Sequence, residues 1–367
     1  MTYIILFLAT FTISLTLTGI VRDFAIRRKL VQMPRDRDSH KKPLPRIGGV
    51  AIFLAFLIVS ILYFYLGNHG LKIGDGNWFG VDKKIAGIWL ASLIIVVAML
   101  IDDLRGLPAP VKLFFQIVAV GFIVAAGIGI DSLPNPFGGI INLNSVYLPV
   151  NFFGTIYHFS LWSDLLTAVW LVGMMNVVNF IDGVDGLAAG ISGIAATILL
   201  ILSLLVGQTA VAILALIFAA AIFGFLPWNF FPAKIFMGDS GSMFLGLILG
   251  VIPLISGGKL ATAFLVLGFA IVDGIIVAGA RIIHGKNPLT TPDKTHLHHR
   301  FLAAGFSVPQ SVIALYLIAG LFGWVALRST TMAKIIASTI LIIFVALLII
   351  GLNFIKKVRA NNNRIKN

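Results

Sequence analysis

Long apolar runs alternate with short polar stretches from one end of the chain to the other. The runs fall at 3–21, 47–66, 85–101, 111–130, 161–178, 187–206, 209–226, 242–257, 260–280, 309–327 and 334–355. Each approaches the ~20 residues a helix needs to cross ~30 Å of hydrocarbon, the third and eighth being short. They predict an all-α polytopic membrane protein of about 11 transmembrane helices, with residues 1–367 as a single domain. The first run has no basic segment before it and basic residues after it, so it reads as a span and not as a signal peptide. Between the fourth and fifth runs lies a longer segment, 131–160, punctuated by Pro and Gly. The alternation in INLNSVYLPV predicts a small β-hairpin there, lying at the outer surface. No chemistry is read in that segment, and His158 within it is taken as interfacial or solvated.

Composition supports the membrane reading. Hydrophobic residues make up 59% of the chain and charged residues 11%, too few to clothe a soluble fold of this length. With no cysteine, disulfides, thiol catalysis and cysteine-ligated zinc are excluded. The net charge of +13 raises nucleic acid as a partner, but Lys and Arg retained beside anionic headgroups account for it, and no nucleic acid is expected. If the N-terminus is outside, the segments 22–46, 102–110, 179–186, 227–241, 281–308 and the basic tail 356–367 face inward. Together with Lys112 at a helix mouth, they hold 21 of the 27 Lys and Arg. Basic residues favour the cytoplasm, so the expected topology is N-terminus out, C-terminus in, in a bacterial cytoplasmic membrane.

All 14 acidic residues are aspartate, and their positions carry the chemistry. Asp102 and Asp103 end the third run; Asp182 and Asp185 sit in NVVNFIDGVDGLAAG; Asp239 sits in AKIFMGDSGS. Carboxylates at helix mouths either cap helices or serve function. Three such groups on one face, with asparagines beside two of them, point to a shared site. Carboxylate and amide oxygens without thiols suit a hard cation, Mg²⁺ or Mn²⁺. The glycines around Asp185 and Asp239 let backbone N–H groups approach an anion at a helix start. Metal, glycines and basic loops together indicate phosphoryl chemistry.

Two further segments lie on the same side. In KNPLTTPDKTHLHHR, His296, His298, His299 and Arg300 have no cysteine neighbour in sequence to complete a zinc site, and they suit phosphate better. RDRDSHKKPLPRIGG either obeys the positive-inside rule or brings Lys41, Lys42 and Arg46 to an anionic substrate. The string GDSGS is similar to a serine-protease nucleophile loop, but the histidines cluster in loops or at interfaces away from it, and that reading is set aside.

Taken in order, these segments resemble the polyprenyl-phosphate N-acetylhexosamine-1-phosphate transferase family, over residues from about 30 to 310. NVVNFIDGVDGL followed by AKIFMGDSGS is the specific part of the likeness. HLHHR and HKKPLPRIGG are similar to the GlcNAc-type branch, whereas the MurNAc-pentapeptide branch usually has three adjacent histidines there. The resemblance implies Mg²⁺-dependent transfer of GlcNAc-1-phosphate from UDP-GlcNAc to undecaprenyl phosphate, releasing UMP, at the start of a cell-envelope glycan. It implies Asp239 and Asn179 as metal ligands, and Asp102 and Asp103 as groups that orient or deprotonate the lipid phosphate. Asp182 and Asp185 would line the nucleotide pocket, with Asn176 among the substrate-binding residues. Leu187, Asn229 and Phe236 match uridine-contacting positions, and Lys41 is a match across variable loop spacing. His296, His298, His299 and Arg300 would grip phosphates and sugar. A homodimer is expected from the family alone. The rival class is a transporter, which would place its key charges near the midplane; Asp273 alone is so placed, and its bland role is a buried hydrogen bond between helices.

Overall fold

The structure, a computed structural model, describes residues 1–32, 43–67, 72–74, 76–135, 139–152, 155–256, 260–283, 285 and 296–366. Each predicted apolar run is a helix, as expected where lipid offers the backbone no hydrogen-bond partner. In chain order the helices are α1 (Thr2–Arg27), α2 (Gly49–Ile61, continued by a π-helical turn Leu62–Leu66), α3 (Lys83–Arg105), α4 (Ala109–Ala125), α5 (Leu161–Ile181) and α6 (Leu187–Leu205). They continue as α7 (Thr209–Asn229), α8 (Gly238–Ile255), α9 (Leu260–Ile283), α10 (Leu297–Ala304), α11 (Val308–Arg328) and α12 (Thr331–Lys366). Ten of these are long and apolar enough to cross a membrane, and α4 is a shorter apolar helix of 17 residues. α4 still runs the full depth beside α3. Lys112 near its start bonds Asp102 at the end of α3, while Ala126 at its end packs on Gly87 near the start of α3.

Two features differ from the sequence reading. The segment 131–160 folds as two hairpins in place of one. With the short pairs β1–β2 (Val31–Gln32, Leu44–Pro45) and β3–β4 (Asn77–Trp78, Val81–Asp82) counted first, these are β5–β6 (Ser132–Pro134, Ile140–Asn142) and β7–β8 (Tyr147–Phe152, Thr155–Ser160). A turn at Asn144 and Ser145 divides the alternating stretch between them. The side chain of His158 lies outside the described residues. The tail also differs: α12 does not stop at 355 but continues to Lys366. No Gly or Pro in 352–366 interrupts it.

α8 is the centre of the bundle, with its whole length buried. Small residues allow the approach that packing in a membrane relies on. A side chain on Gly49 would overlap the backbone of Gly241, and a Cβ on Gly246 would lie 2.5 Å from the carbonyl of Met174 in α5. Phe244 anchors the interior, meeting Phe53 and Phe56 of α2 at 5.5 Å and Phe218 of α7 at 5.8 Å, all edge-on. The outer helices α1 and α12 are mostly exposed along apolar faces, as lipid-facing helices are. At one end of the bundle the α1–α2, α3–α4, α5–α6, α7–α8 and α9–α11 connections come together, and this end carries the polar clusters.

Candidate active site

The site is built on the start of α8. Gly238 takes a positive φ of 76°, where a Cβ would overlap the carbonyl of Arg46 and the carboxylate of Asp103. The chain before it is laced to the segment entering α2: Phe236 N donates to Pro45 O at 2.8 Å, Gly48 N to Phe236 O at 2.9 Å and Gly49 N to Met237 O at 2.8 Å. The amides that open α8 are then capped from another helix. Asp103 of α3 accepts from Asp239 N at 2.8 Å, Ser240 N at 3.0 Å and Ser240 Oγ at 2.7 Å, and its side chain is wholly buried. Asp239 therefore is not its own helix cap. Ser240, the serine of GDSGS, gives its hydroxyl to a carboxylate and not to a histidine, which removes the protease-like arrangement.

With its cap supplied from outside, the Asp239 side chain faces its neighbours. Asp102, Asp103 and Asp239 each offer a carboxylate oxygen within 4.8 Å of the other two. At an effective dielectric of ~20, two unit charges at that distance repel by about 3.5 kcal/mol. Two cations offset this. Lys112 Nζ donates to Asp102 Oδ2 at 2.6 Å and Asp239 Oδ2 at 2.8 Å; Arg46 Nη2 donates to Asp239 Oδ1 at 2.8 Å, with its Nε 3.8 Å from Asp103 Oδ1. Leu107 N holds the second oxygen of Asp102 at 2.6 Å. Burial works against the Arg46 charge, but Asp239 and then Asp103 more than compensate, and its guanidinium is held above its ordinary pKa. So crowded and enclosed a set of charges costs stability, which marks it as functional rather than structural. Sequence reasoning did not assign Lys112 to the site. The available signal was that it is the one Lys or Arg in 109–130 and stands ten residues after Asp102.

The loop 182–186 adjoins this cluster. Burial pushes the Asp182 carboxyl well above the usual range; Arg46 opposes that, and Asp239, Asp103 and Asp185 add to it. Asp185 Oδ2 accepts from Ala233 N at 2.9 Å, and Asn229 stitches the same two loops through Gly186 N at 3.2 Å and Ile235 O at 3.0 Å. Leu187 is buried in the apolar core, whereas Phe236 is half-buried. Asn179 Nδ2 donates to Ser242 Oγ at 2.9 Å, one turn beyond Asp239, and Asn176 Nδ2 donates to Gln116 Oε1 at 3.2 Å. Lys41 and Lys42 lie outside the described residues.

The His segment forms α10, a helix not expected from sequence, and it docks on the same loop. A Cβ on Gly183 would lie 2.8 Å from His298 Nε2. Burial, with His299 and His296 adding, pulls His298 well below its ordinary pKa, so it is neutral at pH 7. Its ring lies 4.3 Å from that of His299. Asp273, mid-span by sequence, meets His296 Nδ1 at 2.9 Å. Arg300 is turned toward α12, where Nη1 donates to Asn353 Oδ1 at 2.9 Å. Arg359 of α12 bonds the carbonyl of Ala304 at 3.1 Å and so holds the other end of α10.

Residues 85–257 match the model of glycosyl transferase family 4. A Bacillus subtilis (strain 168) protein named "Probable undecaprenyl-phosphate N-acetylglucosaminyl 1-phosphate transferase" is 32% identical, over 94% of this chain and 90% of its own. The similarity spans all the polar clusters at this end of the bundle. The chain belongs to the polyprenyl-phosphate N-acetylhexosamine-1-phosphate transferase family. A Thermotoga maritima relative named undecaprenyl-phosphate alpha-N-acetylglucosaminyl 1-phosphate transferase is 32% identical, over 79% of this chain and 78% of its own. A Staphylococcus aureus (strain MSSA476) phospho-N-acetylmuramoyl-pentapeptide-transferase is 30% identical, over 82% and 92%. The protein is thus a multi-pass membrane enzyme, a glycosyl-1-phosphate transferase. The family match takes in the three clustered carboxylates and Lys112 of the transferase but ends before Asp273 and α10.

Proposed function

We propose that this transferase moves GlcNAc-1-phosphate from UDP-GlcNAc to a polyprenyl phosphate, undecaprenyl phosphate in a bacterial membrane, giving the lipid pyrophosphate-GlcNAc and UMP. An oxygen of the lipid phosphate forms a bond to the β-phosphorus of UDP-GlcNAc, and the bond from that phosphorus to the bridging oxygen breaks, with UMP leaving. The nucleophile is a phosphate monoester with a second pKa of about 6, already largely ionised at neutral pH, so a general base is not required. The observation that carries the reading is the set of three carboxylates within 4.8 Å, bridged by Lys112 and Arg46. The names of the GlcNAc-type relatives support the sugar, as does HLHHR.

The donor set fits Mg²⁺. All three groups are carboxylates, and each oxygen of Asp103 is already committed to the start of α8, which leaves Asp239 and Asp102 as the residues to hold the ion, with Asn179 beside them. Bound there, Mg²⁺ would neutralise charge on the pyrophosphate. Lys112 and Arg46, relieved of the carboxylates, would pair with phosphate oxygens, and His296 and His299 would help grip the phosphates and sugar from α10. Asp103 fixes Asp239 by capping the helix that carries it. The concentration of Lys and Arg at this end supports a cytoplasmic active face, where UDP-sugars are found. The test is release of UMP by the purified full chain given UDP-GlcNAc, undecaprenyl phosphate and Mg²⁺. No UMP with either UDP-GlcNAc or UDP-MurNAc-pentapeptide would overturn the reading.

A further inference from the structure

Asp273 lies in the interior of α9 and is 2% exposed, a position where a carboxylate is costly unless it is used. The chemistry above makes no use of it. Both of its oxygens are engaged by the beginning of the His segment. Oδ1 accepts from Leu297 N at 3.0 Å, and Oδ2 lies 2.9 Å from His296 Nδ1. The first contact caps α10, whose N-cap residue His296 makes no side-chain cap of its own. Capping needs one oxygen; the second is spent on the imidazole. A ring whose Nδ1 is committed to a carboxylate presents Nε2 to whatever faces its other edge. An acid partner sets the tautomer of a catalytic histidine in this way. The faces of the ring are held too: Phe180 is 5.7 Å away at 31°, and His298 is 5.9 Å away and parallel. Phe180 stands between Asn179 and the Asp182 loop, so His296 is fixed at the border of the proposed phosphate site.

We propose that Asp273 is a positioning residue for His296, holding the Nδ1 proton and the start of α10 together so that Nε2 is offered, as an acceptor, to a hydroxyl of the donor sugar. The role in turnover rests on the transferase reading; the pairing itself does not. Asp273→Asn separates orientation from capping. Its amide oxygen can still accept from Leu297 N, but its NH₂ group turned to His296 requires Nδ1 as an acceptor. The ring proton then moves to Nε2 and the presented edge reverses.

The experiment uses the full chain in lipid nanodiscs with isotopically labelled histidine ring nitrogens, and His296→Gln assigns the signal. At neutral pH the wild-type ring is expected to carry its proton on Nδ1, and the ring in Asp273→Asn on Nε2. In the UMP assay Asp273→Asn should lower kcat roughly 10- to 100-fold, with the KM for UDP-GlcNAc changed less than about threefold. His296→Gln should lose a similar amount, and the double variant no more than either. An unchanged tautomer, a wild-type kcat, or losses that multiply in the double variant would overturn the proposal. If Asp273→Asn does not fold, the wild-type spectrum still decides, because a proton on Nε2 there contradicts the pairing. If wild type releases no UMP, the transferase reading fails while the nitrogen spectrum still reports on Asp273.

Discussion

Asp103 and Asp102 are adjacent in sequence, yet their environments differ, and replacing each in turn should separate stability from catalysis. Asp103→Ala removes the acceptor for Asp239 N and Ser240 N at the buried start of α8. The Ser240 hydroxyl can rotate to another acceptor, so the cost is that of two buried amides left unpaired. At ~1–3 kcal/mol each, that is about 2–6 kcal/mol. It exceeds an exposed helix cap, worth ~1 kcal/mol, because water cannot replace the lost partner. Asp103→Asn keeps an amide oxygen for one donor and should cost roughly half as much. Asp102→Asn retains an oxygen for Leu107 N and leaves the largely buried Lys112 its partner Asp239, so its fold should be nearly unaffected while turnover falls. The assay is thermal unfolding of the purified variants in one detergent, followed by tryptophan fluorescence. The order expected is wild type and Asp102→Asn highest, then Asp103→Asn, then Asp103→Ala. Equal midpoints for Asp103→Ala and wild type would refute the capping role.

Phe244 is enclosed by three aromatic rings, and Phe244→Ala should cost about 3–5 kcal/mol in the same unfolding assay. His298 is neutral in the folded protein because its pKa is depressed. Its contribution is therefore fully present above an unfolded pKa of about 6.5 and is lost as the pH falls below that, by up to ~1.4 kcal/mol per pH unit. The difference in stability between wild type and His298→Gln should accordingly shrink on acidification; a difference constant from neutral pH downward would contradict it. Chelation of divalent cations should stop turnover and added Mg²⁺ restore it, whereas Asp239→Asn should remain folded and inactive at any Mg²⁺ concentration.

The apolar runs were legible because lipid imposes one length and one polarity on every span. α4 was recovered although it is 17 residues long, since its apolar run extends to residue 130, past the end of the helix at Ala125. The members of the acidic cluster were legible from residue type and their address at helix mouths. Their division of labour was not. Asp103 reaches its partners across 136 and 137 positions in sequence, and nothing local distinguishes it from Asp102. Asp273 was open to two readings, and the bland one, a buried hydrogen bond between helices, is what forms: α10 folds back to meet it 23 residues later. α10 itself is eight residues long, too short for periodicity to reveal, and exists through contacts at both ends, with Asp273 and with Arg359. The single hairpin expected in 131–160 became two because alternation does not show where a turn divides it.

The central claim is that a phosphorylated sugar, and not the sugar alone, passes to the lipid. Incubating the purified protein with undecaprenyl phosphate, Mg²⁺ and UDP-GlcNAc radiolabelled in its β-phosphate tests it directly. The label should move into the organic-extractable lipid while unlabelled UMP appears in the aqueous phase in equal amount. Label that stays in the aqueous phase as UDP, with GlcNAc in the lipid, would contradict the account.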